Sequence, residues 1–110
     1  MKRGKATQKG RSTVTDLETP TPVIFRKDKE NGSICAFILD CPARLGCVIC
    51  LDRISGHGEA SLDYYWEETV PATSEEYAEM KRWMETTYRY VIKVRHRIGD
   101  KDLDLIWRTW

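Results

Sequence analysis

The sequence contains no apolar run that approaches the length of a membrane-spanning helix, so no membrane partner is expected. Its basic N-terminus lacks the apolar stretch that follows in a signal peptide, which favours an intracellular, cytoplasmic reading. Neither charge sign dominates: 18 Lys and Arg stand against 17 Asp and Glu, so net charge points to no partner. There is no internal repeat and no glycine-rich phosphate loop. The 110 residues suffice for one domain and not for two. The core of such a chain is modest, and the four Trp and five Tyr are its natural large components.

Charge distribution says more than the total. Residues 1–13 carry Lys2, Arg3, Lys5, Lys9 and Arg11 and no acid, whereas residues 20–110 are net acidic. Residues 1–19 have almost nothing apolar to bury and read as a flexible basic tail. Thr19-Pro20-Thr21-Pro22 marks the boundary, and residues 20–110 form the single domain.

Within that domain, Val23 to Lys27 reads as a strand, and Asn31-Gly32 is a strong hairpin signal. Ile34 to Leu39 is apolar on both faces and belongs at the centre of a sheet. A third strand runs from Cys47 to Leu51, extending toward Ile54. Residues 55–72 turn polar, with an aromatic group at Tyr64-Tyr65-Trp66 that suits core or edge cover better than base stacking. A helix begins at Thr73, where Thr73 and Glu76 have capping-box spacing. Tyr77, Met80, Trp83, Met84 and Tyr88 recur along one helical face. From Arg89 to Ile98 a period of two predicts a strand, with Tyr90, Ile92, Val94, His96 and Ile98 inward. Leu103, Leu105 and Trp107 suggest a further edge strand. The expected class is α+β: a small antiparallel sheet, β-β-β-α-β, with one helix packed on one face.

Two groups of residues carry chemistry. Cys47 and Cys50 form a C-x-x-C, with Cys41 before it and His57 after it, a set that invites zinc. Val48-Ile49 between them favours a strand, however, where positions three apart face opposite sides. A redox C-x-x-C belongs at a helix N-terminus, so the four cysteines read as small core residues, and no metal or other cofactor is expected. Gly56-His57-Gly58-Glu59 is the second group. Glycines let backbone approach a ligand, His57 can donate, accept or transfer a proton, and Glu59 or Asp63 can orient it. The plainer reading is a bend whose histidine bonds the backbone. Arg89, Lys93, Arg95 and Arg97 share the outer face of the last strand, where like charges demand facing acids or phosphates. His96 reads as a buried, hydrogen-bonded residue.

From Val23 to Ile98 the chain resembles a family of small uncharacterised proteins of bacteria, phages and mobile elements. The matching blocks are Val23-Ile24-Phe25-Arg26-Lys27, Gly56-His57-Gly58, Pro71-Ala72-Thr73 with Glu76-Tyr77, and Tyr90-Val91-Ile92-Lys93-Val94. Members usually carry Gly-Gln-His-Gly, and here the stretch reads Ser55-Gly56-His57-Gly58, so a role that needs the glutamine does not carry over. The resemblance implies a fold and a bacterial-host setting, and no activity. The leading expectation is therefore a non-enzymatic binding protein. It takes an anionic ligand, nucleic acid or nucleotide, through His57, Gly56, Gly58, Glu59, Lys93, Arg95 and Arg97. A protein–protein interaction module, or an inhibitor of a host defence system, comes second. An enzyme using His57 comes last, because no nucleophile or phosphate loop accompanies it.

Overall fold

Short polar side chains set the first hairpin before any packing occurs. In the computed structural model, which describes residues 20–41 and 43–107, strand β1 (Thr21–Asp28) turns into β2 (Ile34–Ile38). Asp28 accepts from the amides of Glu30 and Asn31 at 2.8 and 3.1 Å, and Gly32 takes a positive φ of 75° that other residues resist. The expected basic tail, 1–19, lies outside the described residues.

The sheet continues with β3 (Cys47–Asp52) and β4 (Gly56–Ser61), giving an antiparallel order β4-β3-β2-β1. The far edge of β1 has two partners. Strand β5 (Thr69–Pro71) pairs antiparallel with Arg26–Asp28, and β6 (Ile92–Arg95) pairs parallel with Thr21–Ile24. The α+β class is as expected, and four details differ.

Residues 55–72 hold a strand, a short π-helix (Tyr64–Glu68) and β5, where the sequence suggested polar loop. Strand β4 reads Gly-His-Gly-Glu-Ala-Ser, with no apolar alternation to announce it; the ladder to β3 makes it a strand. The last strand is four residues long rather than ten. Arg89 sits at a positive φ of 63° before it, and the chain leaves the sheet after Arg95. His96 is consequently exposed, not buried. The expected edge strand at Leu103, Leu105 and Trp107 is instead helix α2 (Asp100–Ile106). Asp102 accepts from the Gly99 amide at 2.8 Å, and Leu103 and Ile106 turn inward together, so a helical cap and period override a short alternation.

Both faces of the sheet are therefore covered. On one, helix α1 (Ser74–Thr87) lays buried Met80 and Met84 over Val23, Phe25, Ala36, Ile38 and Leu51. The capping box is present: Thr73 accepts from the Glu76 amide at 3.2 Å, and Glu76 accepts from the Thr73 amide at 2.9 Å. Tyr77 stacks on Phe25 with ring centroids 4.5 Å apart. The other face packs Ile24, Phe37 and Val48 against Tyr65, Leu62, Ile98 and Ile106. Arg26 is buried here. It donates to Thr69 Oγ1, Thr69 O and Tyr65 O at 2.9–3.1 Å, with its guanidinium 4.3 Å from the Tyr65 ring centroid. Trp107 presses on Gly46, whose missing Cβ leaves room for the indole.

Candidate functional site

The β3–β4 turn and the end of α1 meet at one corner on the α1 face. Asp52 accepts from the amides of Ile54 and Ser55 at 2.8 and 2.6 Å, and Gly56 closes the turn at φ 74°. Gly56 is thus the bend that the plainer reading required. Gly58 has no such conformation. His57 lies opposite Leu51 in the ladder and so shares the face that α1 covers.

Among the described residues, the His57 ring bonds a side chain rather than the backbone. Its Nε2 lies 2.9 Å from the Tyr90 hydroxyl, and its ring meets the Tyr88 ring edge-on at 4.8 Å. Tyr88 in turn meets Trp83 edge-on at 5.4 Å, and the Arg53 guanidinium lies 4.9 Å from the Trp83 ring centroid. The result is a continuous row: Arg53, Trp83, Tyr88, His57, Tyr90. Tyr88 is 41% exposed. The backbone places Tyr88 and Tyr90 together through Arg89, which adopts the left-handed conformation normally left to glycine beyond a helix end. Burial, with the charges of Cys41 and Asp40, raises the Tyr90 hydroxyl above its ordinary range, so it stays a neutral hydrogen-bonding group. Beside the row, a cleft of about 220 Å³ runs between α1 and the hairpin ends, lined by Ile34, Arg53, Ile54, Glu76, Glu79 and Met80.

The other predicted residues are distributed differently. Glu59 does not orient His57: it takes the Arg44 side chain at 2.6 Å and the Arg44 amide at 3.1 Å, and this pairing lowers its carboxyl. Arg95 donates to the part-buried Asp102 carboxylate at 2.7 Å, tying β6 to α2. That is the facing acid expected for the cationic strand, supplied by a helix rather than a strand. Lys93 and Arg97 are exposed, but Lys93 shares the parity of Arg95 and lies on the sheet face opposite His57. The structure therefore separates the two halves of the predicted anion site.

Cys50 packs with Val48 under the face opposite α1, while Cys47 lines a separate small pocket with Cys41, Leu39 and Ile106 at the start of β3. Among the described residues no group of three or more His, Cys, Asp or Glu is placed to hold a metal ion. The sequence did not announce a different pairing. Cys50 lies opposite Phe37, one diagonal step from Cys35, and the two side chains line the same cleft. That neighbour relation depends on the β2–β3 register, which the irregular 39–46 connection does not reveal.

No family model, curated protein or solved structure matches this chain. No helix of the described residues is long and apolar enough to cross a membrane.

Proposed function

We propose that this chain is a small non-enzymatic binding protein for an anionic, base-bearing ligand, a single-stranded nucleic acid or a nucleotide. We place the binding surface on the Arg53–Trp83–Tyr88–His57–Tyr90 row. The observation that carries this reading is the row itself: aromatic rings at a strained helix end, partly exposed, with a guanidinium at one end and Arg89 between the tyrosines. Stacking on such rings is tolerant of base identity, and cations beside them neutralise phosphate. Glu76 and Glu79 in the adjoining cleft repel phosphate and direct the ligand backbone toward the Arg53 side. The resemblance to proteins of phages and mobile elements supports a setting in which such ligands abound.

The test is fluorescence anisotropy with a labelled single-stranded oligonucleotide and with a labelled nucleotide at low salt. Binding to at least one is expected, with Tyr88→Ala weakening it about tenfold, the scale of one lost stacking contact. Oligonucleotide binding should also fall steeply with salt. Lys93→Glu, on the opposite face, should change affinity much less. No binding to either probe at low salt would sink the proposal.

A second reading, docking of a protein partner such as a host defence component, draws on Ile54. It stands 89% exposed at the turn beside the same row. If oligonucleotide and nucleotide both fail to bind, that reading takes first place, and Ile54→Asp is the variant that should abolish partner capture.

A further inference from the structure

On the sheet face opposite His57, the glycines of β4 have a different consequence. Gly56, Gly58 and Ala60 present almost no side chain there, and a Cβ built on Gly58 would meet nothing within 4 Å. An open cleft of about 400 Å³ results, and its lining includes Cys35, Cys50, Asp52, Gly58 and Tyr64. Cys35 is only 5% exposed, so what reaches its sulfur must enter through this cleft.

The groups around the thiols form a directed chain. The Tyr64 hydroxyl donates to Asp28 Oδ2 at 2.6 Å, and this bond holds the Asp28 carboxyl below its usual range. Cys35 Sγ lies 3.5 Å from the same hydroxyl oxygen. That contact adds to the lowering of the Cys35 thiol. The neighbouring Cys50 thiol is the largest influence lowering Cys35, to about 7, while Cys35 and burial raise Cys50. One thiol of the pair thus ionises early and the other keeps its proton.

We propose that Cys35 and Cys50 form a reactive dithiol and that the cleft over Gly58 admits small disulfide-bearing molecules to it. Cys35 loses its proton and attacks one sulfur of R–S–S–R. The S–S bond breaks, a Cys35–S–S–R bond forms, and the leaving thiolate takes up the proton as R–SH. Cys50 then loses its proton and attacks the Cys35 sulfur. It forms Cys35–S–S–Cys50 and releases the second R–SH. Two electrons pass from the dithiol to the small disulfide, which leaves as two thiols. Cys41 and Cys47 take no part: neither lines the cleft, and burial raises the Cys41 thiol.

The experiment exposes the reduced chain to oxidised glutathione and maps the peptides by mass spectrometry over time. The wild-type protein should gain a Cys35–Cys50 crosslink. Cys50→Ser should stop at a glutathione adduct on Cys35, formed several-fold faster than an adduct on Cys41, whose thiol burial raises. Gly58→Val leaves both thiols in place and fills the cleft, so it should slow Cys35 modification several-fold. Circular dichroism establishes that the variants fold, and the wild-type map stands without them. Adducts spread evenly over the four cysteines, an unmodified Cys35 in the wild-type protein, or a Gly58→Val rate equal to wild type would each overturn the proposal.

Discussion

The two faces of the sheet solve the same problem with different materials. One is covered by a 14-residue capped helix whose methionines fill the gaps between strands. The other is covered by a π-helix, a seven-residue helix and the segments around them, tied by polar bonds: Arg26 to Tyr65 and Thr69, Arg95 to Asp102, Tyr64 to Asp28. Local helix formation supports the first face before it packs. Short pieces have no such independent stability and depend on specific contacts. Each face keeps a cleft, about 220 Å³ beside α1 and about 400 Å³ over Gly58, and the second has two thiols in its lining.

Removing the aromatic keystone of the patchwork face should break this comparison most sharply. Tyr65 is fully buried, meets Phe37 edge-on at 5.0 Å and lies under the Arg26 guanidinium. Tyr65→Ala should cost about 4 kcal/mol and Met84→Ala on the other face about 3 kcal/mol, read from urea unfolding midpoints. A Met84→Ala loss clearly exceeding that of Tyr65→Ala would show that the long helix, not the polar-tied side, dominates stability. Arg89→Gly should be smaller and of opposite sign. It relieves the left-handed backbone and should stabilise by about 0.5 kcal/mol, offset in part by glycine's greater freedom when unfolded. Under the binding proposal it should weaken oligonucleotide affinity at the same time, by freeing Tyr88 and Tyr90. A destabilised Arg89→Gly protein would show that the arginine side chain makes contacts worth more than the strain.

The smallest effect concerns acid. The Lys27 ammonium and the Thr73 amide hold the Glu76 carboxyl below its ordinary value of 4.5. A depressed folded-state value means that the associated stability is present above 4.5 and is lost as pH falls through the folded value. Glu76→Gln should therefore lower the thermal midpoint slightly at neutrality and converge with wild type as pH falls below 4.5, which flattens the acid limb. An unchanged acid limb would show that the pair is fully screened by solvent.

What the sequence made legible was what neighbours in the chain decide. The Asn31-Gly32 turn, the Thr73–Glu76 cap and the Met80/Met84 face are local, and each stands where the pattern put it. Partners distant in the chain were hidden. Nothing near His57 announces Tyr88 and Tyr90, more than 30 residues away, and Glu59 and Asp63 were the neighbours at hand. The basic alternation from Arg89 to Arg97 was real as sequence. A positive φ at one end and an ion pair to α2 at the other left only part of it as strand. Residues 103–107 fit period two and a short helix equally well, and the Asp102–Gly99 cap decided between them.

The divided edge of β1 also sets an order of events. Its pairing with β2 closes across a few residues, whereas Thr21 meets Ile92 only after the rest of the sheet and helix α1 have been made. On a ribosome, the first half of β1 waits with one side unsatisfied while most of the chain is synthesised. The parallel strand that covers it is a late seal, and until it arrives the growing chain offers that side to any other extended segment within reach.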